Sequence, residues 1–173
     1  AKMKIKVTAA RALLYETTRM VDLRYAYVAQ DERSEKAKFY SKVAAVLTPM
    51  CKALATEIAN QVAYDSIQIH GGTGYMHDFD VERYYRDARI TNIYEGTTQL
   101  QVVAAIGGVI QRDNNQRIAE LLALPFEGEL LRLKKVITDM IPRHENAIKY
   151  VVDKKDQAYH DLMARSLVEM ETY

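Results

Sequence analysis

The sequence predicts an all-α protein, an up-and-down four-helix bundle with an added C-terminal helical appendage. Apolar residues recur at steps of three, four or seven over long stretches, which is the spacing of one helix face. Only seven glycines and three prolines occur in 173 residues, too few for the turns of a protein built from many short strands. Hydrophobic residues make up 49% and charged residues 27% of the chain, which is the balance of a globular protein with a core.

Two long helices come first. One contains an apolar stripe that begins at Ile5, and the other is expected from about Glu35 to Ile69. The polar segment 30–34 joins them as antiparallel neighbours. Pro49 falls inside the second stripe, where we expect a kink because proline lacks an amide donor and clashes with the preceding turn.

Shorter helices follow the second long helix. The glycine-rich segment 71–74 ends that helix, and a short helix is expected over about 80–86. Another helix is expected over about 98–110. There Thr98, with Gln101 three residues later, has the form of a capping box.

The rest of the chain predicts further helices, because apolar stripes continue through residues 117–173. We therefore divide the chain into a bundle domain, 1–112, and additional C-terminal helices, 113–173. The chain begins in helical register and ends without a stop signal, so we expect it to be a piece of a longer protein.

Charge and cysteine content exclude several classes of function. Lys and Arg total 24 against 23 for Asp and Glu, a net charge of +1 that argues against a nucleic-acid binder. The single cysteine, Cys51, excludes an internal disulfide and a cysteine-based zinc site, and it fits a reducing compartment, for which we expect the cytoplasm. The four histidines lack the spacing of metal ligands, so we expect no metal site.

The most informative stretch is 64–101, which contains a glycine cluster at 71–74. Such a cluster exposes backbone amides to which a phosphate can come close. A helix C-cap and turn is the commoner use, and it stays open as the alternative. The cluster is not a dinucleotide-binding fingerprint, because it follows a helix and lacks the further glycine that this pattern needs.

Glu95 lies between two predicted helices, next to the flexible Gly96. A carboxylate on such a loop, beside apolar residues, can act as a general base. Most loop glutamates are simply solvated, and the residue types alone leave both possibilities open. Thr97, Thr98 and Gln99 offer hydroxyl and amide groups at a helix start, where capping is the alternative role.

Two motifs taken together resemble a known family. Residues 68–75 read Gln-Ile-His-Gly-Gly-Thr-Gly-Tyr, and residues 86–101 read Arg-Asp-Ala-Arg-Ile-Thr-Asn-Ile-Tyr-Glu-Gly-Thr-Thr-Gln-Leu-Gln. The pair resembles the C-terminal helical domain of the flavin-dependent acyl-CoA dehydrogenases, over roughly residues 3–112. The resemblance implies a bundle that packs against an N-terminal helical domain and a middle β-domain, neither of which is in this chain.

The resemblance also implies an activity in fatty acid metabolism. Enzymes of this family remove an α-proton from an acyl-CoA and pass the β-hydrogen as hydride to FAD, which leaves a trans-2-enoyl-CoA. The usual base is the glutamate of an Ile-Tyr-Glu-Gly-Thr motif, which here is Glu95. Because the α-proton of a thioester is only weakly acidic, the base must be shielded from water and the carbonyl needs hydrogen-bond donors. The family takes these donors from a flavin ribityl hydroxyl and from the backbone amide of the base.

Cofactor contacts are carried over from the family by position. Gln68 and Gly72 match positions that hold the ADP portion of an FAD bound in the neighbouring subunit, and Gly71 shares their loop. Thr97 and Gln99 match positions that contact the FAD of the same subunit as the base. The resemblance thus implies a homodimer or homotetramer, with acyl-CoA as substrate and an electron-transferring flavoprotein as the expected acceptor. The alternative is a non-catalytic oligomerisation scaffold derived from the same fold.

Three other residues carry expectations of their own. A structural role is expected for His70 in preference to a flavin contact. Glu16 is expected either to pair with Arg86 or Arg89 or to lie at a solvated edge. Cys51 is expected to pack as a small apolar residue.

Overall fold

The computed structural model describes all 173 residues and contains seven α-helices and no strand, which confirms the predicted all-α fold. A five-residue 3₁₀ turn, Gly71–Tyr75, follows the second helix. The helices are α1 (Lys2–Gln30), α2 (Glu35–His70), α3 (Val81–Ile90), α4 (Thr98–Gln111), α5 (Asn115–Leu122), α6 (Gly128–Asp153) and α7 (Gln157–Thr172).

The longest helix, α2, contacts most of the other elements that position the site. It begins after Ser34, whose side-chain oxygen accepts a hydrogen bond of 3.2 Å from the Ala37 amide. It continues through Pro49 to His70, as the apolar stripe predicts. Gly71 ends it with a positive φ of 64°, a backbone conformation that glycine adopts without steric cost.

The largest buried cluster includes helices from both parts of the chain. It combines side chains of α2 and α4 with side chains of α6 and α7. The C-terminal helices at 113–173 therefore share one core with the helices that precede residue 112. The members are Val46, Met50, Val102, Ala105, Val109, Ile148, Val151, Ala164, Leu167 and Val168.

Helix α1 packs along α2 over a second, smaller cluster that contains Met20 and Val43. Its Glu16 is bound to Arg117 of α5, with 2.5 Å between Oε1 and Nε. The predicted pairing of Glu16 with Arg86 or Arg89 is therefore wrong, because α5 brings a different arginine to α1.

Cys51 is buried, as predicted, and burial raises the pKa of its thiol. No helix of the chain combines the length and the apolarity that a membrane crossing requires.

The chain exposes more surface than a compact protein of its mass. Its accessible area is 11,792 Å², whereas a compact monomer would expose about 8,600 Å². Many of the exposed large apolar side chains lie on α1, α3, α4 and α6. Large apolar side chains on these helices that are more than half exposed are Ile5, Tyr15, Tyr25, Tyr84, Ile90, Leu100, Val103, Leu130, Leu131 and Tyr150.

Candidate functional site

The predicted site residues lie in two separate groups along α2. One group stands at the C-terminal end of this helix: Gln68, Gly71 and Gly72. The other stands on the α3–α4 loop and the start of α4: Glu95, Thr97 and Gln99. Helix α2 contacts the segment of the second group through Lys52 and Glu57, which are sixteen and eleven residues, or about 24 and 16 Å along the helix, from Gln68. Within one chain the two groups are therefore not brought together.

The glycine-rich end of α2 is shaped by Gly74 and Thr73. The Thr73 hydroxyl donates a 2.8 Å hydrogen bond to the His70 carbonyl. A Cβ at Gly74 would lie 2.7 Å from His70 Cβ and 2.8 Å from the Ile67 carbonyl oxygen, so only glycine fits there. His70 Nδ1 lies 2.9 Å from the Ser66 carbonyl oxygen, and these contacts agree with a structural role for this histidine.

Gly72 and Gln68 have more open surroundings than Gly74. A Cβ at Gly72 would meet nothing within 4 Å, and its φ does not lie in the left-handed region. Nothing within this chain therefore requires glycine at this position. Gln68 is exposed, and its amide makes no hydrogen bond to the rest of the chain. Both positions are open to a group that the chain itself does not contain.

Glu95 is exposed and has a left-handed backbone, with φ at 52°, followed by Gly96 with φ at 96°. A residue with a Cβ adopts this conformation at a cost of roughly 1–2 kcal/mol. The N–H of Glu95 donates no hydrogen bond within the chain. Glu95 thus presents a carboxylate and a backbone donor from the same residue.

Side chains from two helices hold the loop on both sides of Glu95. Lys52 Nζ donates to the carbonyl oxygens of Tyr94, at 3.1 Å, and Gly96, at 2.6 Å. Gln101 Nε2, from α4, donates to the Glu95 carbonyl at 3.2 Å. Three consecutive carbonyls are therefore bound by two side chains. Lys52 was not among the predicted site residues, because a single lysine within an apolar stripe shows no motif.

The start of α4 differs from the predicted capping box. Thr97, not Thr98, is the N-cap, and its Oγ1 accepts a long hydrogen bond of 3.4 Å from the Leu100 amide. The Thr98 hydroxyl instead donates to Glu57 Oε1 of α2 at 2.7 Å. The prediction for Thr98 is wrong because a carboxylate from α2, invisible in the local sequence, lies beside it.

Asn60 extends this set of contacts to α3. Its Nδ2 donates to the Ala88 carbonyl at 2.9 Å and to the Thr56 carbonyl at 2.8 Å. Lys52, Glu57 and Asn60 thus form a polar row on α2 that holds the end of α3, the α3–α4 loop and the start of α4. We call these three residues the α2 polar row.

The neighbourhood of Glu95 in the chain is apolar and uncovered. Ile93 is 44% and Tyr94 is 50% exposed, and Leu100 and Val103 on α4 are more exposed still. A partner placed on this surface would remove water from around the carboxylate. No three His, Cys, Asp or Glu side chains come close enough together to hold a metal ion.

Comparison with known proteins gives the family. The protein-family model described as "Acyl-CoA dehydrogenase, C-terminal domain" matches residues 1–106. The chain belongs to the acyl-CoA dehydrogenase family. A second model, described as acyl-CoA dehydrogenase C terminal, matches residues 113–173. The resemblance seen in the two motifs is therefore confirmed.

Two curated relatives within the family illustrate the similarity. The chain is 37% identical over 132 residues to 3-methylmercaptopropionyl-CoA dehydrogenase of Ruegeria pomeroyi, which covers 75% of this chain and 21% of that protein. It is 34% identical over 112 residues to the caffeyl-CoA reductase–Etf complex subunit CarC of Acetobacterium woodii, which covers 65% of this chain and 25% of that protein. The chain thus spans about a fifth to a quarter of these relatives.

A solved structure has the same fold. The apo form of Bd2924 superposes with a TM-score of 0.67 at 20% sequence identity, covering 99% of this chain and 30% of that one. At this identity the likeness describes the fold of the seven helices and not their chemistry.

Proposed function

We propose that these 173 residues act as the C-terminal part of a longer FAD-dependent acyl-CoA dehydrogenase in which Glu95 is the base. One observation carries the proposal: the exposed carboxylate and the unused N–H of Glu95 stand together on a loop whose carbonyls are bound on both sides. The family membership supplies the class of reaction for which such a residue is needed.

Each feature of Glu95 has a part in this chemistry. Its carboxylate would take the α-proton of the acyl thioester, and its N–H would donate to the thioester oxygen, where negative charge develops. The exposed side chains of Ile93 and Tyr94 would lie against the substrate and exclude water from the carboxylate. When bound, FAD would accept the β-hydrogen as hydride.

The residues of the two groups along α2 fit a flavin nucleotide. Gly72 leaves open space and Gln68 has an amide that makes no hydrogen bond within the chain. Together with Gly71, these two residues could bind the ADP portion of FAD. Thr97 and Gln99 offer a hydroxyl and an amide beside the α3–α4 loop. Because the two groups adjoin α2 at points about 16–24 Å apart along the helix, their separation supports a cofactor shared between two copies in a homodimer or homotetramer.

The exposed area above that of a compact monomer supports the proposal that further partners pack on this chain in the same assembly. The exposed area exceeds that of a compact monomer by about 3,000 Å², and a standard interface buries only about 800 Å² on each partner. We assign this surface to the family's other two domains and to further copies of the chain.

Substrate and electron acceptor follow from the named relatives. The Ruegeria relative is named 3-methylmercaptopropionyl-CoA dehydrogenase, which supports an acyl-CoA as substrate. The Acetobacterium relative is named as a subunit of a caffeyl-CoA reductase–Etf complex, which supports an electron-transferring flavoprotein as the electron-transfer partner. The buried thiol of Cys51 suits a reducing compartment, and we place the enzyme in the cytoplasm.

The test uses the longer protein that carries this chain. Glu95→Gln should keep the yellow flavin but lose acyl-CoA-dependent bleaching by roughly a hundredfold or more. Glu129→Gln, an exposed carboxylate on α6, is the matched control and should bleach at the normal rate. Normal bleaching in Glu95→Gln would exclude Glu95 as the base, and a longer protein that binds no FAD would favour the scaffold alternative. The 173 residues alone should fold but bind little flavin.

A further inference from the structure

Lys52 stands out because its only polar partners lie on the α3–α4 loop. Its ammonium group bridges the carbonyls of Tyr94 and Gly96, which lie 42 and 44 positions away, and stands 5.8 Å from the Tyr94 ring centre. It takes part in no ion pair, unlike Lys38 and Lys42 on the same helix. Lys52 is therefore half-buried and has no carboxylate partner, and both of its hydrogen bonds go to the residues that flank Glu95.

The loop has a physical need for such a donor. Glu95 keeps a left-handed backbone although it is not glycine, and such a conformation persists only where its surroundings fix it. Hydrogen bonds from a charged donor are roughly twice as strong as those from a neutral one. Lys52 fixes the carbonyls before and after Glu95, and Gln101 fixes the carbonyl of Glu95 itself.

We propose that Lys52 is a positioning residue for proton abstraction: it keeps the backbone of Glu95 in the one conformation that presents carboxylate and N–H together. This inference rests on the proposed function. Lys52 would touch neither substrate nor cofactor, so its loss should slow the proton-transfer step and leave binding of both in place.

The first measurement is amide hydrogen exchange in the longer protein that carries this chain. In Lys52→Met, the amides of Ile93 and Tyr94, which both donate to the Ile90 carbonyl, should exchange roughly tenfold faster than in the wild type, because the loop opens more often. The control Lys38→Met removes an exposed lysine of the same helix and should leave this exchange unchanged. Lys52→Arg, which can also donate to two carbonyls, should restore most of the protection.

The second measurement uses the FAD-loaded longer protein. Lys52→Met should lower α-proton exchange and flavin reduction roughly tenfold to a hundredfold, while FAD content and acyl-CoA affinity stay within about twofold. Lys52→Arg should recover most of the rate. This split between rate and binding is what a merely structural lysine would not produce.

The outcomes separate this inference from the proposed function. Unchanged loop exchange, an unchanged reduction rate, or equal losses of rate, FAD and substrate binding in Lys52→Met would each overturn the role of Lys52. If Glu95→Gln reduces flavin normally, the proposed function itself fails. If Glu95→Gln is inactive while Lys52→Met is fully active, only the role of Lys52 fails.

Discussion

The hydroxyl of Thr98 donates a hydrogen bond of 2.7 Å to the Glu57 carboxylate and so joins the first turn of α4 to the middle of α2. The two residues are 41 positions apart, and both side chains are partly buried. Glu57 belongs to the α2 polar row, in which Lys52 binds the preceding loop. This contact fixes where α4 begins against α2.

Replacing Thr98 by Val should therefore destabilise the fold. The change keeps the shape of the side chain but leaves the Glu57 carboxylate without this donor, which should lower the free energy of unfolding by about 1–2 kcal/mol. Urea unfolding followed by circular dichroism measures the change. In the control Thr138→Val, the lost hydroxyl is exposed and bonds only its own helix at Lys134, so an effect within about 0.5 kcal/mol is expected. Equal effects of the two variants would contradict the role of the Thr98–Glu57 bond.

Replacing each of two adjacent glycines of α4 by alanine should change the free energy of unfolding in opposite directions. A Cβ at Gly108 would overlap the side chain of the buried Val46 on α2, whereas a Cβ at Gly107 would meet nothing within 4 Å. Gly108→Ala should therefore lower the free energy of unfolding by about 1–3 kcal/mol. Gly107→Ala should raise it by up to about 1 kcal/mol, because alanine favours the helix. Thermal unfolding of both variants is the measurement, and a stable Gly108→Ala variant would show that α4 is not tightly seated on α2.

Glu171 on α7 should make the fold less stable as pH rises. Burial raises the pKa of its carboxyl, the charge of Asp113 adds to this, and a hydrogen bond from Asn114 opposes it. Because the folded state holds this proton more tightly than the unfolded state, stability falls as pH rises from the ordinary carboxyl pKa through the raised one, and it stays lower at pH 7.

Glu171→Gln should remove this loss of stability at higher pH. At pH 7 its melting temperature should exceed that of the wild type by about 2 °C or more, and the two should nearly coincide below about pH 4. The control Glu129→Gln removes an exposed carboxylate and should show no such difference between the two pH values. A melting temperature of Glu171→Gln below that of the wild type at pH 7 would show that ionised Glu171 stabilises the fold.

Local patterns in the sequence predicted the helices well because each depends on near neighbours. The apolar stripe predicts a helix from Glu35 to Ile69, and the structure has it from Glu35 to His70. The segment expected over 98–110 is helical over Thr98–Gln111. The motifs around Gln68 and Glu95 likewise predicted the family, because they are contiguous runs of residues.

Contacts between distant helices could not be predicted in this way. Glu16 pairs with Arg117 instead of the arginines of α3, and Thr97 caps α4 in place of Thr98. In both cases the partner or the competing carboxylate comes from a helix far along the chain, so no local spacing reveals it.

The sequence by itself determined the all-α fold, the family and the residue proposed as base, since periodicity and short motifs are properties of contiguous residues. Only the tertiary structure decided what holds that base in place. Lys52 binds a loop more than forty residues away, and the C-terminal helices share the core of α2 and α4. Both follow from how the apolar faces of separate helices pack, and packing brings together side chains whose relation has no trace in their spacing.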